Sequence, residues 1–505
     1  MQRLRKQKPL ERAAGILLPI SSLPSPYGIG TLGASAYAFI DFLHGAGQRY
    51  WQVLPVGPTS YGDSPYQSFS AFAGNPYFID LDLLVEEGLL DKETIEREDW
   101  GDTPERIDYG KLYSARFRVL RQAFARWKPG PGYEAFVAEH AHWLEDYCLY
   151  MAIKLEQGGK SWLEWPEELR MGDSLALDRW RGQHETDMEF WKFCQYQFMA
   201  QWKALQAYAH QRHVQIIGDI PIYVALDSAD VWRKSEYFQL DVMKRPTAVA
   251  GVPPDLFSAT GQLWGNPLYD WETLRQEDYS WWKARMQHCA SLFDLIRIDH
   301  FIGIVRYYAI PYGAETAMVG EYRKGPGEEL LQAIGAVLGE SKIIAEDLGL
   351  VVPSVRRLLK RSGYPGMKIM EFAFGSGPAN ENLPCHYDKN VVVYGGTHDN
   401  ETLAGYFSAR RGDELRYAKQ YLGVKTKAAL PGAIIREAMA SCANTAIFQM
   451  QDYLGLGNEA RMNFPSTMGD NWRWRMKEGA LTGELTASIL ELTQIYGRAL
   501  AEQED

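Results

Sequence analysis

Three apolar runs, far apart in the chain, each end in an acidic residue, and no other feature restricts the fold as much. The first is Leu295, Ile296, Arg297, Ile298, Asp299 and His300. The second is Lys342, Ile343, Ile344, Ala345, Glu346 and Asp347. The third passes from Val391, Val392, Val393 and Tyr394 through Gly395 and Gly396 to Thr397, His398 and Asp399. Runs this short, alternating too little for a half-exposed strand, read as buried strands of a parallel sheet. In a parallel barrel the C-terminal strand ends form the chemical face. Asp299, Glu346 and Asp399 then converge. Two carboxylates flanking one glycosidic bond are the apparatus of glycoside chemistry, and a third positions hydroxyls or tunes its neighbours. Arg297 and Asp299 lie two apart and so share one side of a strand. Taken alone, that pair reads as a structural ion pair.

The remaining strands fall into place around these. Residues 15–20, 50–56 and 214–223 read as strands one to three, 366–372 as the sixth, 390–394 as the seventh and 445–450 as the eighth. Helical segments separate most of them, as an α/β chain of the (β/α)8 TIM-barrel type requires. The stretch 60–213 is too long for a loop. It has helical composition at 112–127, 143–155 and 188–210, and reads as a largely helical inserted subdomain after strand two. Trp162, Trp165, Trp191 and Trp202 within it read mainly as core or interface residues. Residues 224–290 read as an inserted substrate-groove loop with helices after strand three, with Asp227 or Ser228 capping a helix. Nothing after residue 460 alternates like a separate C-terminal β-sandwich. The expectation is one catalytic barrel over 1–505 with insertions.

Composition excludes several classes. A formal net charge of -11 argues against a nucleic-acid surface. Five cysteines, an odd number with no CxxC pair, fit free thiols in a reducing compartment. With no signal-like or membrane-spanning apolar run, the expectation is a cytoplasmic protein. No metal-ligand signature occurs, although scattered oxygen ligands for a structural calcium ion leave little trace in sequence. The 16 Trp and 29 Tyr supply core packing and also suit stacking on sugar rings.

The segments Arg297-Ile298-Asp299-His300, Ala345-Glu346-Asp347-Leu348-Gly349 and Thr397-His398-Asp399-Asn400 carry a resemblance, strengthened by Trp264-Gly265-Asn266-Pro267. From about Gly15 to the C-terminal region, the chain resembles the 4-alpha-glucanotransferases (amylomaltases or disproportionating enzymes). These form glycoside hydrolase family 77, relatives of the alpha-amylases. The resemblance implies Asp299 as nucleophile, Glu346 as acid and then base, and Asp399 as the group gripping hydroxyls of the distorted sugar. It implies substrate contacts from Tyr61, Asp219, Phe257, Trp264, Asn266, Arg297, His300, His398 and Asn471. Tyr66 is a further candidate for stacking on glucose. The implied partners are an alpha-1,4-glucan donor and a glucose or maltooligosaccharide acceptor, with no cofactor, catalytic metal, nucleic acid or membrane. Monomer and homodimer both remain open. An alpha-amylase-like retaining hydrolase would use the same carboxylates. A non-enzymatic glucan binder would keep the aromatics without needing the three acids.

Overall fold

A computed structural model describes residues 4–60, 62–254, 258–349 and 351–500. Eight parallel strands form the central sheet: β1 (Ala13–Leu17), β2 (Tyr50–Gln52), β3 (Gln215–Pro221), β4 (Leu295–Asp299), β5 (Lys342–Ala345), β6 (Gly366–Ile369), β7 (Val391–Tyr394) and β8 (Thr445–Gln449). Hydrogen-bonded neighbours follow chain order, with β8 returning to β1. The remaining seam, between β5 and β6, is joined by Ala345 N–H to Pro365 O at 2.9 Å and Met367 N–H to Asp347 Oδ1 at 2.8 Å. The sheet is therefore a barrel, as the alternating strands and helices predict.

Strand periodicity sorts the side chains. Leu17, Tyr50, Ile217, Leu295, Ile344, Met367, Val392 and Ile447, one from each strand, form a single apolar cluster. That cluster fills the barrel interior. Residues two further along share its side of each strand, which turns Asp219, Arg297 and Asp299 inward too. Ile296 and Ile298 face the surrounding helices, in the larger outer core. Gly15 makes room for this packing: a Cβ there would lie 2.5 Å from Tyr50 Cβ.

The outer layer follows from amphipathic helices. Ala34–Gly45 buries Ala36, Phe39, Ile40 and Leu43, one stripe at helical spacing. Between β2 and β3 run the long helices Tyr109–Arg126, Pro131–Glu156 and Glu185–Gln211. The last two pack together, and the last leads directly into β3. Trp162, Trp165, Trp191 and Trp202 are buried, which places them in the core. Ser228 caps Ala229–Arg233 by accepting from Val231 N–H, whereas Asp227 instead receives Lys154 and Tyr150.

Several elements depart from the sequence reading, and the second strand covers only Tyr50–Gln52 of the expected 50–56. Part of the region read as a loop is an antiparallel sheet, ordered Gln262–Pro267, Ala248–Val252, Arg306–Pro311 and Glu321–Lys324. Its first two strands are rich in Ala, Gly and Pro and lack clean alternation, so pairing with the chain after β4, rather than propensity, makes them strands. This sheet carries Trp264 to the rim of the barrel. The sixth strand is also shorter than read: Met370–Phe372 is a single 3-10 turn.

Candidate functional site

The C-terminal strand ends gather the acids. Asp219 and Arg297 stand directly opposite in the β3–β4 register. Arg297 Nη1 donates to both Asp219 oxygens at 2.7 Å, and Nη2 lies 2.9 Å from Asp299 Oδ1. The Arg297 and Asp219 side chains are only 3% and 0% exposed, whereas that of Asp299 is 28% exposed and open to the cleft. Burial acts to lower the Arg297 pKa, but Asp219 and Asp299 outweigh it and raise it well above its ordinary value. The ion pair expected from spacing exists, and its centre is Asp219 as much as Asp299.

Glu346 follows β5 immediately. Its oxygens accept from His300 N–H and Leu348 N–H, each at 2.7 Å. Burial, reinforced by the negative charge of Asp299, pushes its carboxyl up to about 8, against Arg297 and the two amides. Glu346 is thus largely protonated at neutral pH. The bond from His300 depends on an unusual turn, because His300 has φ 53, a left-handed conformation rare for a residue with a side chain. Such a conformation typically costs about 1 kcal/mol or more and persists where surrounding structure enforces it. The His300 ring meets Trp264 edge-on, with centroids 4.8 Å apart. Packing pushes its pKa down to about 4 although Asp299 opposes this, so the imidazole is neutral at pH 7.

Asp399 lies beyond β7 on the Gly395–Gly396 turn. Its Oδ1 accepts from Asn463 Nδ2 at 2.6 Å, Oδ2 lies 3.4 Å from His398 Nε2, and its carbonyl accepts from Arg461 at 2.8 Å. Burial acts to raise the Asp399 pKa, but His398 and Asn463 outweigh it and keep the group ionised. In turn Asp399 raises His398 above the ordinary histidine value, against burial. Tyr66 stacks on His398 at 5.1 Å and donates its hydroxyl to Asp219 Oδ2 at 3.0 Å. One face of the Tyr66 ring is therefore taken by His398, so loop packing accounts for that face.

The expected substrate contacts divide into groups. Asp219, Arg297, His300 and His398 surround the carboxylates. Trp264 is half-buried beside them, its indole N–H held by Gln262 Oε1 at 3.1 Å. Asn266 is buried, donating to Val224 O and accepting from Gln67. Asn471 closes the turn before it, accepting from Phe464 N–H and donating to Thr467. Both amides brace loops in this structure. Tyr61 and Phe257 lie outside the described residues. Asn463 and Arg461 were missed as site residues, because nothing in their local sequence signals contact with a carboxylate sixty residues earlier. Among the described residues, no group of three or more His, Cys, Asp or Glu side chains is arranged to hold a metal ion.

A (β/α)8 barrel with carboxyl groups at the ends of β4, β5 and β7, one protonated and others ion-paired, defines a class: barrel enzymes acting on glycosidic bonds. The profile of the family described as 4-alpha-glucanotransferase matches residues 18–482, and the chain belongs to that family. It is an enzyme that transfers glucan segments. A 4-alpha-glucanotransferase of Clostridium butyricum is 47% identical over 95% of this chain and 99% of its own length. One from Thermus thermophilus is 46% identical over 97% and 99%. The solved structure of amylomaltase from Streptococcus agalactiae in complex with acarbose superposes with a TM-score of 0.94 at 41% identity, covering 97% of this chain and all of that one.

Proposed function

We propose that the chain moves a segment of alpha-1,4-glucan from a maltooligosaccharide, amylose or starch donor to the 4-hydroxyl of glucose or another glucan, by retaining double displacement. The observation that carries the residue roles is the contrast between two carboxyl groups at one cleft. Asp299 is ion-paired with Arg297 and partly open to the cleft. Glu346 is buried and kept protonated by its surroundings. The first is suited to attack the anomeric carbon, and the second to protonate the departing 4-oxygen. Arg297 Nη2, 2.9 Å from Oδ1, holds the Asp299 carboxylate in place for that attack.

Once the reducing-side fragment leaves, Glu346 is an anion. An acceptor 4-hydroxyl entering the vacated subsites gives it a proton, and the new alpha-1,4 bond releases Asp299. Asp399, held ionised by His398 and Asn463, faces hydroxyls of the distorted sugar and stabilises the oxocarbenium-like state. The neutral imidazole of His300 contributes a hydrogen bond without adding charge. Transfer exceeds hydrolysis because the rim excludes water, and Trp264 above His300 is the side chain placed to do this.

The segments 60–213 and 224–290 serve this reaction as insertions that shape the two sides of the groove. A cytoplasmic setting accords with five free cysteines. No described helix is long and apolar enough to cross a membrane.

The test is incubation with pure maltotriose. Glucose plus longer maltooligosaccharides, with little net gain of reducing ends, is the expected result. Progressive shortening with one new reducing end per cleavage would instead identify a hydrolase.

A further inference from the structure

Behind the turn that carries His398 and Asp399 lies a second pair of acids, unused in the mechanism above. Glu371, just past β6, is 4% exposed, and Asp452, just past β8, is 6% exposed. They border consecutive glycines of the turn: a Cβ on Gly396 would stand 2.8 Å from Glu371 Oε1, and one on Gly395 3.4 Å from Asp452 Oδ2. Both oxygens are shut off from solvent, and among the described residues neither receives a hydrogen bond. The surrounding backbone is anchored through the same two residues. Glu371 N–H donates to Gly395 O at 3.1 Å, Tyr406 Oη donates to Glu371 O at 2.7 Å, and Leu403 N–H donates to Asp452 Oδ1 at 2.7 Å.

The nearby cations Arg461 and Arg410 act on Glu371 through space and oppose the rise of its pKa, but neither hydrogen-bonds its Oε1. Arg410 faces Glu401 at 3.3 Å and Glu414 at 3.6 Å. Arg461 donates to the carbonyls of Asn463 and Asp399, each at 2.8 Å. Glu401 adds to the rise of Glu371 through space and accepts from Asn458 at 2.7 Å. Glu371 Oε1 and Asp452 Oδ2 are therefore both buried without a donor among the described residues, and the charge of Asp452 acts on Glu371. A buried group in that position gives up its charge rather than bear the cost.

We propose that Glu371 and Asp452 are positioning residues, an acid pair that retains at least one proton at neutral pH and thereby holds the Gly395–Asp399 turn in its working position. Burial raises both acids, Glu371 well above the carboxylate range and Asp452 to about 7, and the charge of Asp452 adds to the shift of Glu371. Alkaline loss of the last proton places two like charges behind the turn and drives it out of register. The consequence for catalysis rests on the role proposed for Asp399; the protonation of the pair does not.

The neutral isosteres decide it. Glu371→Gln and Asp452→Asn are melted alongside the wild type at pH 5 and pH 9. An acid whose folded pKa is raised stabilises the fold at low pH and loses that contribution as pH rises. Each isostere is expected to match the wild type at pH 5 and to melt above it at pH 9, while Glu346 titrates in all three proteins and cancels. Variants that melt below the wild type at both pH values would show that the acids are needed as anions, and would overturn the proposal. Positioning is read separately: Glu371→Ala should lower kcat for maltotriose by about 100-fold, the loss expected of a misplacement near 1 Å, and Gln should restore it. A normal kcat in Glu371→Ala overturns the positioning role if Asp399→Asn is inactive. If Asp399→Asn is also active, the role assigned to Asp399 is what fails.

Discussion

Arg297 and Asp219 face each other across neighbouring parallel strands, and a single guanidinium nitrogen holds both carboxylate oxygens at 2.7 Å. The geometry leaves the other terminal nitrogen for Asp299, at 2.9 Å. One buried cation thus joins two acids from two strands, which ties the architecture of the barrel to the position of the group proposed as nucleophile.

Removing that cation should damage both. Arg297→Ala strands Asp219 as an uncompensated buried charge and is expected to destabilise the fold by about 3–5 kcal/mol. Arg297→Lys keeps the charge but cannot reach both acids from one planar fork. It should retain most of the stability while kcat falls by about 100- to 1,000-fold. Urea titrations and maltotriose assays on the two variants check the separation. A lysine variant with normal kcat would show that charge alone suffices.

Glu346 should govern the alkaline limb of the rate. With its carboxyl raised to about 8, kcat is expected to fall as pH passes that value and the acid is lost. Stability has the same sign. The unfolded glutamate releases its proton near about 4.3, so between there and about 8 the folded state binds the extra proton. Stability from this group is complete at low pH and declines as pH rises through that window. Glu346→Gln should abolish transfer and flatten this part of the Tm–pH curve, as seen by scanning calorimetry from pH 5 to 9.

Spacing of the pair is a direct structural prediction. In a crystal structure with a bound oligosaccharide, the Asp299 and Glu346 carboxyl groups should lie about 5–5.5 Å apart, the separation of a retaining pair. A separation above about 6.5 Å would point to an inverting arrangement with water between the two groups. Mass spectrometry of a slow fluorinated donor incubated with the enzyme should also find the glycosyl adduct on Asp299.

Trp264 should control the fate of the intermediate more than its formation. Replacing it by Ala opens the rim beside His300, so transfer should fall more than hydrolysis and the ratio of new reducing ends to transfer products should rise. Chromatography of maltotriose products with a parallel reducing-end assay measures both. An unchanged ratio would assign water exclusion to another part of the rim.

Much of this molecule was legible in one dimension. The apolar runs ending in Asp299, Glu346 and Asp399 mark barrel strands because a buried strand is mostly apolar and a strand end is where charge can emerge. The two-residue spacing of Arg297 and Asp299 set them on one side of a strand, since side chains alternate along it. Helical spacing over residues 34–42 did the same for the first helix. Tertiary structure alone decided what depends on register and on contacts between distant segments. Asp219 claims half of Arg297 only because β3 and β4 pair in the observed register. Tyr66 covers His398 because the loop after β2 folds across the barrel mouth. Asn463 holds Asp399, and the chain after β4 turns an Ala- and Gly-rich loop into a sheet, through contacts that no local pattern encodes. The protonation of Glu346 belongs to this second group as well: burial and a neighbouring anion set it, and both exist only once the chain has folded.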